Sequence, residues 1–145
     1  MEKIISNVAF YEEKESFQIL FGTKSTYEYS ELLKCEVVYE HAKYHNEKCP
    51  FPIEHRLLIT RYNFLWINRK VYVGLELELK GEKKAYVYVS NKERILNSDD
   101  FNDDVKIAEG LRKKFIEIIE RYKFMVNVMT HVKNKTNNDI LKIKC

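Results

Sequence analysis

The stretch Val71-Tyr72-Val73-Gly74-Leu75-Glu76-Leu77-Glu78-Leu79 alternates without a break, with Val71, Val73, Leu75, Leu77 and Leu79 on one side and Tyr72, Gly74, Glu76 and Glu78 on the other. A period of two belongs to a β-strand with one dry face and one wet face. Ala85-Tyr86-Val87-Tyr88-Val89 repeats the alternation, and the polar run Lys80 to Lys84 between the two reads as a hairpin turn. With Leu79 opposite Ala85, Leu77 faces Val87 and Leu75 faces Val89, while Glu76 and Glu78 face Tyr88 and Tyr86. A slip of one residue would set Leu77 against Tyr86 and mix the faces, so the pattern selects a register that keeps them apart.

Working outward, Ile5 to Tyr11, Ser16 to Phe21 and Leu33 to Glu40 read as three earlier strands, the first two joined by the polar turn Glu12-Glu13-Lys14-Glu15. His41 to Glu54 holds Asn46, Pro50 and Pro52 and reads as a loop, because those prolines exclude a central strand. Leu57 to Thr60 and Tyr62 to Asn68 are rich in branched and aromatic residues and complete a set of about seven strands. After Ser90 the period changes. Ala108, Leu111, Phe115, Ile118, Ile119, Tyr122, Met125, Val126 and Met129 follow helical spacing, which predicts one helix over 102–131 with Leu111, Phe115, Ile118 and Tyr122 as its buried stripe.

Asp99, Asp100, Asp103 and Asp104 gather at the start of that helix, where capping explains them, and Arg121, Lys123 and Lys133 lie toward its end, matching the macrodipole. Gly110 inside it is expected to permit close approach to the sheet. The predicted fold class is α+β, mainly β, as one domain over 1–131 with a polar tail over 132–145, in which Ile140-Leu141-Lys142-Ile143 suggests a short strand.

A chain of 145 residues with 45% hydrophobic, 13% aromatic and 32% charged residues has enough apolar material for a core and is neither disordered nor low in complexity. Lys+Arg 25 against Asp+Glu 22 gives +3, too little to name an anionic partner. The balance is uneven along the chain, with residues 1–54 and 55–84 at −4 and +4. The start of the chain lacks a secretory pattern, no apolar run approaches the roughly 20 residues of a membrane span, and three cysteines form no framework. A reduced, cytoplasmic protein is the expectation. Heavy use of Lys, Ile, Asn and Tyr hints at an AT-rich genome, as in a low-GC bacterium or its phage.

Candidate chemistry is sparse. His41-x3-His45-x3-Cys49 offers three ligand types, but the spacing suits a helix and the segment is flanked by prolines, so polar loop residues rather than zinc are expected. Cys49 beside a histidine lacks anything to fix a nucleophile and base. From Asp99, a calcium loop would need Gly at position 104 and Glu at 110, where the chain has Asp104 and Gly110. No hydrolase, zinc-protease or nucleotide-binding motif is present. No catalytic residue, metal or cofactor is predicted.

Asn7-Val8-Ala9-Phe10, then Tyr29-Ser30-Glu31-Leu32-Leu33 leading into Cys35-Glu36-Val37-Val38, and the helix from Ala108 to Ile119 resemble small bacterial pleckstrin-homology-like (PH-like) proteins over residues 5–124. The resemblance implies a bent antiparallel barrel of about seven strands closed by one long C-terminal helix. It also implies a binding scaffold for phosphoinositides, peptides, proteins or further copies of itself rather than an enzyme. Lipid-binding members carry cations between the first two strands, where this chain has Glu12, Glu13 and Glu15 around Lys14, which argues against phosphoinositide.

Arg61-Tyr62-Asn63-Phe64-Leu65-Trp66-Ile67 carries bulky apolar groups in both alternate sets. If Leu65 and Ile67 join the core, Tyr62, Phe64 and Trp66 face outward, and Tyr72, Tyr86 and Tyr88 fall on the outward side of the hairpin. With Arg69 these aromatics form the predicted partner-binding patch, unless the tail covers it. The expectation is a non-enzymatic cytosolic protein-interaction module, binding a protein partner or itself and not a membrane. The alternative is a nucleic-acid-binding protein using the basic aromatic segment 56–84, in which Arg56, Arg61, Arg69, Lys70, Lys80, Lys83 and Lys84 would meet phosphates.

Overall fold

A computed structural model of the chain describes residues 2–45, 50–51 and 69–130, the side chains of 44 and 124–130 excepted. Four short strands, β1 (Glu2–Ile5), β2 (Val8–Tyr11), β3 (Ser16–Ile19) and β4 (Thr26–Glu28), form an antiparallel sheet in chain order. The second sheet runs β5 (Leu32–His41), β6 (Lys70–Leu79), β7 (Lys83–Tyr88), with the short β8 (Arg94–Ile95) pairing the start of β6. One α-helix among the described residues, α1 (Asp99–Thr130), follows. The chain is thus α+β and mainly β, as its patterning predicts.

The long hairpin keeps the predicted faces but not the predicted register. Leu77 pairs with Ala85, Leu75 with Val87 and Glu76 with Tyr86, two residues from the expected alignment. Only Lys80, Gly81 and Glu82 form the turn, because Gly81 and Glu82 both adopt positive φ (82° and 55°) and reverse the chain sooner. The predicted first strand is likewise two strands, since Ser6 at φ 53° turns the chain between Ile5 and Val8. Residues Leu57–Thr60 and Tyr62–Asn68, expected as strands, lie outside the described residues.

The two sheets meet at one corner. Just beyond β3, Phe21 O accepts from Tyr88 N at 2.9 Å and Thr23 N donates to Tyr86 O at 2.9 Å, so the edge of β7 is joined to the first sheet around Gly22. Among the described residues the two sheets do not close into a barrel.

The core lies between the sheets and α1. Phe10 and Phe17 of the first sheet meet Phe115 at ring distances of 5.4 and 5.1 Å, and Leu75, Leu77, Ala85 and Val87 close it from the second. Leu111, Phe115 and Ile118 are fully buried and Tyr122 half-buried, so the predicted stripe is the docking face. Ser98 begins the helix, its Oγ accepting from Phe101 N at 3.2 Å. Asp104 does not cap: it is buried, accepting from Ser90 Oγ at 2.7 Å and Arg94 Nε at 2.8 Å. Gly110 is exposed, and a Cβ there would meet nothing within 4 Å, so the expected close approach to the sheet is absent.

Candidate functional site

The side of the second sheet that carries Tyr72, Tyr86 and Tyr88 is not bare. Gly74 leaves a socket in β6, which the Phe51 ring fills so closely that any Cβ there would collide with it. Phe51 stacks on Tyr88 with centroids 4.5 Å apart, and His45 stacks on Tyr72 at 4.1 Å. Beneath them Glu40, 0% exposed, accepts from Phe51 N at 2.9 Å and Tyr88 Oη at 3.1 Å, with His45 Nδ1 also at 3.1 Å. Burial first, and the Glu40 charge after it, raise the Tyr88 pKa, so its hydroxyl stays protonated and donates.

The alternation therefore places Tyr72, Tyr86 and Tyr88 on a common side but misjudges exposure. Tyr72 and Tyr86 are half-buried, Arg69 is exposed, and Tyr88 is completely enclosed by Phe51, Phe21, His45 and Tyr72. Residues 45 and 51 supply that cover, and the C-terminal tail lies outside the described residues. Tyr62, Phe64 and Trp66, the other members of the predicted patch, lie outside the described residues.

An open groove lies elsewhere, between the start of β5 and one flank of α1, with a cavity of about 460 Å³. Three local features build it. Among the described residues β5 pairs with β6 alone, so its other edge faces the helix. A bulge between Leu32 and Lys34 leaves Leu33 without a ladder partner and turns its side chain out, 53% exposed. On α1 the apolar sector is wider than the buried stripe: Ile116 and Ile119 lie beside it, half-buried, and line the groove.

Cations border this apolar strip. Arg112, at one end of the helical flank, spends its Nε on Cys35 O at 3.1 Å, which ties helix to strand. Lys80 and Lys123 are exposed at the rim, with Lys34, Glu36 and Glu120. The Cys35 thiol is free and buried, and desolvation, opposed by the Arg112 charge, pushes its pKa up to about 12, which favours the protonated thiol. The site offers shape, apolar surface and positive charge. Sequence reasoning missed it, although Ile116 and Ile119 are a visible excess over one helical stripe.

The predicted ligand triad is only partly described. His41 Nδ1 accepts from Lys43 N at 3.3 Å, desolvation first and nearby Arg69 and Lys43 next lower its pKa, and Cys49 lies outside the described residues. Among the described residues no three His, Cys, Asp or Glu side chains are grouped to hold a metal ion. No helix among them is long and apolar enough to cross a membrane. No family model, curated protein or solved structure matches the chain.

Proposed function

We propose that the chain is a PH-like, non-enzymatic interaction module of the cytoplasm that holds an extended segment of a partner protein between β5 and α1. The groove carries this reading. A strand that is terminal among the described residues, beside an apolar helix flank, is what a peptide in β conformation fits, with its side chains alternating between the two walls. The order of elements, short strands in two antiparallel sheets and then one helix packed across them, is compatible with the PH-like resemblance. Protein is preferred to nucleic acid because two described cations of segment 56–84 are already engaged, Lys70 with Glu93 at 3.1 Å and Lys84 with Glu76 at 3.7 Å.

Selection of a displayed library of random dodecapeptides, with wild type and Leu33→Ser as baits, tests this. Leu33 is exposed, so the variant should keep its melting temperature within about 3 °C. Peptides enriched on wild type should bind the variant at least tenfold more weakly and protect amides of 32–36 from exchange. No enrichment, or equal binding to both baits, overturns the proposal.

A further inference from the structure

We infer that the groove selects a partner segment with an apolar side chain flanked by two carboxylates, of the form acid-x-apolar-x-acid. This rests on the groove being the docking site and adds the chemistry of its occupant. The charges of the walls decide it. Lys34 and Glu36 neutralise each other at 2.9 Å, with Glu78 3.9 Å from the same ammonium. Arg112, Lys80 and Lys123 remain without a carboxylate partner among the described residues, against Glu120 alone. Three cations against one anion in a concave apolar wall attract a carboxylate-bearing ligand. The same charges disfavour the Lys-rich tail of this chain, with Lys133, Lys135, Lys142 and Lys144, as the occupant.

Spacing sets the form of the motif. Arg112, Ile116, Ile119 and Lys123 recur at helical intervals along one flank of α1, with the two isoleucines between the two cations. Eleven positions at ~1.5 Å rise separate the cations by roughly 16 Å. An extended chain advances about 3.3 Å per residue, so same-side residues four apart span about 13 Å, and the reach of Arg and Lys supplies the remainder. The residue midway between them points toward Ile116, Ile119 and Leu33. Arg112 retains its terminal guanidinium nitrogens for a carboxylate, since only Nε is held by Cys35 O.

The test is titration of the full chain with a capped nonapeptide whose core is Asp-Thr-Leu-Thr-Glu, beside a twin with Asn and Gln for the acids and a twin with Lys at both. Backbone NMR shifts of 32–36 and 112–123 are the readout, at 50 and 300 mM salt. The acidic peptide should bind at least tenfold more tightly than the neutral twin and weaken with salt, and the Lys twin should not bind. Lys80→Gln and Lys123→Gln, both at exposed positions, should each reduce acidic-peptide affinity about threefold or more without altering that of the neutral twin. Equal binding of the acidic and neutral peptides in the groove overturns the acidic motif and leaves the groove intact. Shifts outside the groove, or none for any peptide, overturn both. A groove found occupied by a second copy, or by residues 131–145 of the same chain, overturns the acidic partner in favour of that occupant.

Discussion

Glu12 shows how one side chain of the acidic turn after β2 works for the fold. Its Oε1 accepts from Lys114 Nζ at 2.7 Å and its Oε2 lies 4.0 Å from Arg121 Nη1, so the turn is clipped to α1 from two helical turns. The Lys114 hydrogen bond, aided by the charges of Lys114 and Arg121 and opposed by partial burial, holds the carboxyl below its ordinary value of 4.5. A carboxyl whose pKa falls on folding stabilises the native state above its unfolded pKa and loses that contribution as pH drops through the folded value. With Glu12 41% exposed, solvent screens much of the interaction, and Glu12→Gln should destabilise by at most about 1 kcal/mol at neutral pH. Urea denaturation of both proteins at pH 7 and pH 3 should show the difference shrinking at the lower pH. A difference unchanged between the two would mean Glu12 acts through packing and not charge.

Among the elements, strands and helix were legible where periodicity is strong and illegible where local backbone geometry decides. The alternation of Val71 to Leu79 fixes which side each residue takes, but a shift of two residues preserves those sides, so only the positive φ of Gly81 and Glu82 selects the true register. β4 spans three residues with no apolar alternation, and β8 spans two, too short for any pattern to emerge. Glycines separate the two situations experimentally. At Gly22 φ is 127° and a Cβ would collide with the Tyr86 carbonyl at the corner joining the sheets, so Gly22→Ala should cost on the order of 3 kcal/mol. Gly110 sits in the exposed interior of α1 with open space around it, so Gly110→Ala should stabilise by about 1 kcal/mol. Chemical denaturation midpoints moving in opposite directions are the expected result. A loss at Gly110 would show that α1 needs flexibility there.

For the whole molecule, what matters is how pieces distant in sequence are locked together, and this is where sequence reading stops. The groove joins Leu33 and Cys35 of β5 to a flank of α1 that begins 77 residues later in sequence at Arg112, and no local pattern announces that meeting. The enclosed Tyr88 is hidden for the same reason, since its cover comes from His45 and Phe51, in a segment that reads as polar loop. A buried polar relay holds the helix to the second sheet. Val73 N of β6 donates to Ser90 Oγ at 2.9 Å, Ser90 Oγ donates to Asp104 Oδ2 at 2.7 Å, and Arg94 Nε of β8 donates to the same oxygen at 2.8 Å. Ser90 and Asp104 are both buried, so removing the carboxylate strands a hydroxyl and leaves the mostly buried Arg94 guanidinium only the exposed Asp100, 3.7 Å from its Nη1. Asp104→Ala should therefore cost about 3–5 kcal/mol, against ordinary surface changes within about 0.5 kcal/mol. At roughly 2–4 °C per kcal/mol for a domain of this size, the melting temperature should fall by about 6–20 °C. Because the relay links β6, β8 and α1, far-ultraviolet helix signal and near-ultraviolet aromatic signal should be lost together in one earlier transition. Loss of the helix signal alone, with the aromatic core melting at the wild-type temperature, would show that the sheets are stable without α1 and that the relay only tethers it.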